Sequence, residues 1–142
     1  MSDAQPWSEF IGQETIDILY GEGIKRWGGA GSEPISGCID AALGAAFTAE
    51  MYSADEDQTE GLVAGLIFAG YLLFYLATKH CYLDGNKRIS WACAMFILLR
   101  LGLTVQAGED EIVNFCLSVA NGNIKQGSQV VNWLATRLVS IT

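Results

Sequence analysis

The feature that most constrains this chain is an apolar run from Gly61 to Thr78. It is eighteen residues long and holds no charged side chain, so it is either a short transmembrane helix or a helix surrounded by other helices. Gly61, Gly65 and Ala69 recur every four residues, a spacing that lets helices approach closely. The run is short, its tyrosines lie well inside it, and the charged residues that follow give no clear membrane topology. We therefore expect a buried central helix.

Length and charge narrow the class of protein further. The chain has 142 residues, of which 51% are hydrophobic and 17% charged. These values predict a single domain over residues 1–142 rather than a disordered chain. Eight basic side chains against sixteen acidic ones give a formal net charge of -8, and this deficit of cations argues against direct binding to nucleic acid.

The cysteines and the first residues indicate the compartment. Cys38, Cys81, Cys93 and Cys116 form no C-x-x-C unit and the chain has one histidine, so a structural zinc site is not expected. Residues 1–6 lack the basic start and apolar run of a secretory signal. We therefore predict a cytoplasmic protein, without a membrane partner, whose cysteines stay reduced and act mostly as small buried apolar groups.

Apolar spacing and breaker residues divide the chain into helices. The glycine-rich stretch 27–34 and the acidic stretch 53–58 are expected to be loops. No convincing alternation of period two is present, so the predicted fold class is all-α, a compact helical bundle in one domain. The expected helices cover 8–25 with Ser8 as the cap, 36–51, 61–78, 87–101, a segment from about 108 to 120, and 127–138.

The segment that carries chemistry is H-C-Y-L-D-G-N-K-R at residues 80–88. Gly85 can take a positive φ and turn the chain into a new helix. The first amides of that helix have no partner inside it and favour an anion such as phosphate. Lys87 adds a point charge, and Arg88 adds a planar fork for two phosphate oxygens. The candidate phosphate-binding residues are therefore Gly85, Asn86, Lys87 and Arg88.

His80, Asp84 and Tyr82 complete this site. The His80 imidazole suits a general base, because imidazole changes charge near neutral pH. Asp84 repels phosphate but can hold a Mg²⁺ ion that bridges to one. Tyr82 is expected to point its ring into the core and pin the loop. Each residue has an ordinary explanation when taken alone, as a helix cap or a solvated charge, but their combination favours a catalytic site.

This pattern resembles the signature of the Fic/Doc family, and Lys87 matches its death-on-curing (Doc) branch. Residues 24–29 followed by Gly31 are similar to the early Gly-Gly loop of the family, and residues 37–43, 96–102 and 133–134 also fit. The resemblance covers about residues 24–138 and implies the compact all-α Fic/Doc fold. It also implies that His80 deprotonates a Ser or Thr hydroxyl of a target protein, that Asp84 binds Mg²⁺, and that residues 85–88 hold the phosphates of ATP.

Two departures from the family pattern bear on the reaction. Family members typically transfer AMP, whereas Doc transfers the γ-phosphate of ATP to elongation factor Tu and blocks translation. AMP-transferring members have a second glycine where Lys87 stands and a second arginine where Trp91 stands. Both differences favour a Doc-like Ser/Thr kinase, with His80, Asp84, Lys87 and Arg88 as its catalytic set. The alternatives are a Fic-type AMP transferase, a catalytically silent binding protein and a membrane-inserted toxin that uses residues 61–78.

The resemblance also implies an inhibitory partner. Fic proteins with their own inhibitory helix show [S/T]-x-x-x-E-[G/N], but Glu56 precedes Glu60-Gly61 where Ser or Thr is required. We therefore expect inhibition by a separate chain, as the Phd-type antitoxin inhibits Doc in a toxin–antitoxin pair.

Overall fold

The computed structural model describes residues 5–53 and 61–141. Within these residues the chain is almost entirely helical, which confirms the predicted all-α class. A 3-10 turn at Pro6–Glu9 precedes six α-helices and two short strands: α1 (Gln13–Trp27), α2 (Cys38–Ser53), α3 (Gly61–Lys79), α4 (Asn86–Arg100), β1 (Leu103–Val105), α5 (Glu109–Ala120), α6 (Gly127–Ala135) and β2 (Leu138–Ser140). The strands pair antiparallel, with Thr104 opposite Val139.

The apolar run forms the central helix of the bundle. α3 packs against α2, α4, α5 and α6. It is also the one helix in the described part of the chain that is long and apolar enough to cross a membrane, over Leu62–Lys79 with a mean hydropathy of 1.7. Its burial against four helices is the packing expected of a central core helix. The buried side chains of α3 are Phe68, Ala69, Leu72, Leu73, Leu76 and Ala77.

α3 and α6 approach so closely that each places a glycine at the contact. A Cβ added to Gly70 would lie 2.5 Å from Cγ2 of Val131 and 3.0 Å from its Cα, and a Cβ on Gly127 would collide with the ring of Tyr71. The backbone of α6 cannot move away without opening the core. The small residues of α3 therefore serve helix packing inside this bundle.

We predict that Gly70→Ala destabilises the fold, by about 1–3 kcal/mol, because the added methyl group overpacks this contact. Gly21→Ala is the matched control, since Gly21 lies exposed on α1 and a Cβ there meets nothing within 4 Å. The control should be neutral or stabilise by about 0.5–1 kcal/mol. Urea unfolding monitored by circular dichroism measures both variants, and equal midpoints would contradict the close-contact interpretation.

Several predicted boundaries were wrong at the chain ends. Ser8 lies inside the 3-10 turn and does not cap an α-helix. The backbone is extended at Gly12, so α1 begins only at Gln13. α6 ends at Ala135, since Leu138 pairs with Val105 in the strand ladder. Strands of three residues are too short to produce a recognisable alternation. Of the predicted loop 53–58, Ser53 ends α2 and the remainder lies outside the described residues, as do Glu56 and Glu60.

The cysteines follow two different patterns. Cys93 and Cys116 are free and buried, as predicted, and burial raises the pKa of Cys116 to about 11. The prediction that all four cysteines are reduced is wrong, because Cys38 and Cys81 form a disulfide with their Cα atoms 5.5 Å apart. The folding of α2 against the end of α3 brings together two residues that lie 43 apart in sequence.

Candidate active site

The loop between α3 and α4 is bounded by two residues with positive φ. His80 follows the last residue of α3 with φ 51°, and Gly85 precedes α4 with φ 82°. His80 is the one non-glycine residue with positive φ among the described residues. A side chain in this conformation costs roughly 1–3 kcal/mol and is characteristic of functional sites. The imidazole is exposed to solvent, as a base acting on another protein requires.

The amino end of α4 is open, as the sequence predicted. Gly85 is its N-cap and supplies no side-chain hydrogen bond. The first amide bonded in the helix is that of Ile89, which donates to the Gly85 carbonyl at 2.9 Å. The amides of residues 86–88 therefore lack partners among the described residues, and Lys87 stands exposed beside them. Such an end attracts anions through its N–H groups and its dipole.

The Asn86 side chain does not join this anion-binding set. Its Oδ1 accepts from the Tyr82 amide at 3.0 Å, and its Nδ2 donates to the Tyr82 carbonyl at 2.8 Å. Asn86 therefore fixes the loop through its side chain and leaves only its backbone amide for phosphate. Asn86 was predicted to bind phosphate, and its loop-closing role was not predicted.

Tyr82 pins the loop as predicted. Its side chain is 4% exposed, and its ring stacks on that of Tyr20 with centroids 3.7 Å apart. The Tyr20 hydroxyl donates to the Asp84 carbonyl at 2.9 Å, which adds a second anchor from α1. Burial raises the pKa of Tyr82 well above its ordinary value. Its hydroxyl has no hydrogen-bond partner in the part of the chain that the structure describes.

The Asp84 carboxylate is held in place by backbone amides. Its Oδ1 accepts from the Gly85 amide at 2.8 Å, and its Oδ2 accepts from the Ala30 amide at 3.2 Å. A Cβ on Gly29, whose φ is 112°, would lie 2.7 Å from Oδ2. The early Gly-Gly segment therefore has a physical function, because only a glycine lets the backbone approach this carboxylate so closely.

The residues that follow the Gly-Gly segment continue this contact with the loop. We call residues 28–35 the strap. The Leu83 amide donates to Ser32 Oγ at 2.9 Å, and the Ile35 amide donates to the Cys81 carbonyl at 2.8 Å. With the hydrogen bond from Ala30 to Asp84, the strap thus makes three hydrogen bonds to the loop. Ser32, Ile35 and Tyr20 carry no local sequence signal for these contacts, since the contacts depend on the packing of distant segments.

Arg88 is held between α1 and the strap. Its Nη1 donates to the carbonyls of Gly23 and Gly28, each at 3.1 Å. Its guanidinium carbon lies 5.6 Å from the centroid of the Trp27 ring. Guanidinium carries five N–H donors, and those on Nε and Nη2 make no hydrogen bond among the described residues. The predicted binding of phosphate by Arg88 stays a prediction. Arg88 therefore positions the loop as well as carrying charge.

A cleft of about 320 Å³ opens beside the amino end of α4. The side chains that line the cleft are apolar except for Lys87 and Arg88, and the cleft lies between α4 and α5. Behind it, Trp133 stacks on Phe115 with centroids 3.8 Å apart, and the edge of Trp91 meets Trp133. The residues that line the cleft are Lys87, Arg88, Trp91, Ile112, Val113, Cys116 and Leu117.

The residues present fit Mg²⁺ only in partnership with a substrate. No group of three or more potential metal ligands occurs among the described residues, so the protein alone offers no closed metal site. Asp84 is exposed, and each of its oxygens accepts one hydrogen bond. Mg²⁺ is commonly bound by one or two carboxylates, phosphate oxygens and water. A single oriented carboxylate beside a phosphate site meets that requirement.

The comparisons with known proteins agree with this geometry. No match was found among curated proteins. The model of the Fic/DOC family matches residues 17–98, more than half of the chain. The matched region contains the whole loop, the strap and α4 as far as Leu98. The chain therefore belongs to the Fic/DOC family, whose members generally bind a nucleotide with Mg²⁺ and transfer nucleotide-derived groups to proteins.

Proposed function

We propose that the protein is a Doc-like kinase toxin that transfers the γ-phosphate of ATP to a Ser or Thr hydroxyl of a target protein. The observation that carries the proposal is the placement of Lys87. This residue is exposed in the first turn of α4 and lines the mouth of the cleft, beside the amides of residues 86–88, which have no partner among the described residues. A long cation at this point obstructs the nucleotide orientation that presents the α-phosphate.

The lining of the cleft supports a nucleotide as the ligand. The phosphates would bind the amides of residues 86–88 together with Lys87 and Arg88, and the flat base would enter the apolar cleft. Trp91 forms part of its α4 wall. The indole of Trp91 supplies apolar area and no positive charge. Among the residues that line the cleft, only Lys87 and Arg88 can therefore offer a cation to the phosphates.

His80 and Asp84 complete the proposed reaction. The imidazole of His80 takes the proton of the target hydroxyl as the hydroxyl oxygen attacks the γ-phosphorus of ATP. The bond from that phosphorus to the β–γ bridging oxygen breaks, and ADP leaves. Asp84 would hold Mg²⁺, which neutralises phosphate charge when bound. The amides that fix the Asp84 carboxylate orient it before substrate arrives, and such preorganisation is a main source of catalytic stabilisation.

We infer the partners from the same proposal. A Doc-like kinase acts on elongation factor Tu, so that protein is the first target to test. A Phd-type antitoxin would cover the site, and exposed apolar side chains beside the loop suit such a contact. Trp27 is 64% exposed and Leu83 is 76% exposed.

The position of the label in ATP tests the proposal. Purified protein is incubated with elongation factor Tu and with ATP labelled at either the α- or the γ-phosphate. We expect γ-label transfer alone, and Lys87→Met should lower it by at least about tenfold because a charge contact to phosphate is lost. Lys125→Met, which removes an exposed lysine from the loop after α5, should have no effect. Transfer of the α-label without the γ-label would instead identify an AMP transferase.

A further inference from the structure

The disulfide between Cys38 and Cys81 has no part in the function proposed above, yet it is attached to the active-site loop. Cys81 directly follows His80, and Cys38 is the first residue of α2. Cys81 is 1% exposed, and its carbonyl accepts the amide of Ile35 from the strap. One covalent bond thus joins the loop, the strap and α2.

His80 lies between two anchors, the end of α3 on one side and the buried, disulfide-bonded Cys81 on the other. No hydrogen bond holds the His80 side chain among the described residues, whereas Tyr82 and Asp84 are each held by several. The nearest anchor of His80 along the chain, other than α3 itself, is Cys81. A residue in a positive-φ conformation keeps it only when its surroundings impose it.

We propose that the Cys38–Cys81 pair is a thiol–disulfide switch that sets the position of the His80 imidazole. The disulfide form holds the loop as described above, and reduction releases it. The predicted loss of transfer rests on the proposed function, whereas the predicted movement of His80 does not.

The reduction is an exchange with a small dithiol. A thiolate of the dithiol attacks Sγ of Cys38, which is partly exposed, forming a new S–S bond as Cys81 leaves as a thiolate and takes a proton. The second thiol of the reductant then displaces Cys38 and closes the cyclic disulfide of the reductant. Two electrons and two protons reach the protein. The departing Cys38 thiolate lies at the first turn of α2, where the helix dipole stabilises negative charge.

The single histidine provides a direct readout. The full chain is labelled with ¹³C at histidine, so one imidazole signal reports the environment of His80 by NMR. Adding dithiothreitol should shift that signal. Alkylation after denaturation should count two thiols before treatment and four after it. Transfer of the γ-label should fall at least tenfold, while the helical circular dichroism signal is retained.

The variants separate the switch from other effects. Cys38→Ser with Cys81→Ser should give the reduced-state imidazole signal and show no response to dithiothreitol. Cys93→Ala, which removes a buried free cysteine that does not line the cleft, should respond like the unmodified protein. An imidazole signal unchanged after full reduction overturns the switch, as does unfolding of the reduced protein or a count of four thiols after oxidation with glutathione disulfide. If the signal moves but neither redox form transfers phosphate, the switch stands and the kinase proposal fails.

Discussion

His80→Gly should abolish the proposed phosphate transfer and, at the same time, make the protein harder to unfold. Loss of a general base lowers the rate by about 10²–10⁴-fold. The backbone at this position has φ 51°, which glycine adopts without the steric penalty that a Cβ causes. The relief exceeds the entropy that glycine adds to the unfolded chain, so we expect a gain of about 0.5–1 kcal/mol. Denaturant unfolding and γ-label transfer measure the two effects on one preparation.

His80→Ala separates catalysis from backbone strain. Alanine also removes the imidazole but keeps a Cβ, so this variant should be inactive without the gain in stability. Under the proposed toxin function, both variants should be equally harmless to cells when expressed alone. Growth suppression by either variant at the level of the unmodified protein would mean that the toxicity does not depend on the imidazole. A marked loss of stability in both would show that His80 supports the fold.

Alanine at Gly29 should damage both the fold and the reaction. Its Cβ would lie 2.7 Å from Oδ2 of Asp84, and φ at this position is 112°. The strap must therefore move away from Asp84, and the hydrogen bond from the Ala30 amide to the Asp84 carboxylate is lost. We expect a loss of about 1–3 kcal/mol in stability. Transfer should fall by about 10²-fold, because a displacement near 1 Å at a catalytic group has effects of that size.

Gly122→Ala is the control for Gly29→Ala. Gly122 also has a positive φ, 87°, but a Cβ there meets nothing within 4 Å and Gly122 lies in the turn after α5. It should lose stability through backbone strain alone and keep full transfer activity. The Mg²⁺ concentration needed for half-maximal rate should rise for Gly29→Ala only. An equal loss of activity in both variants would disprove a specific link between Gly29 and Asp84.

The sequence was informative where the signal is local. The charge-free run predicted α3 to within one residue at its end, and Gly85 predicted the start of α4, because a positive-φ glycine and an apolar helix are properties of short segments. The loop residues were found for the same reason. His80, Asp84, Lys87 and Arg88 lie within nine consecutive residues, so their combination could be read without knowing how the chain folds.

The contacts that were missed join distant segments. The Ser32 hydroxyl meets Leu83 across 51 residues, and Cys38 meets Cys81 across 43. Nothing in the spacing of the cysteines distinguishes this pair from the other pairings. The two hydrogen bonds from the Asn86 side chain to the Tyr82 backbone were also missed. An asparagine beside a glycine is equally suited to a turn or to a ligand.

The two walls of the cleft differ in whether the family model covers them. Its cationic rim on α4 lies inside residues 17–98, whereas the opposite wall, formed by Ile112, Val113 and Leu117, lies beyond them. No described hydrogen bond connects that wall to the loop carrying His80. Changes on α5 are therefore expected to alter which molecule fits the cleft without breaking the hydrogen bonds that hold the loop.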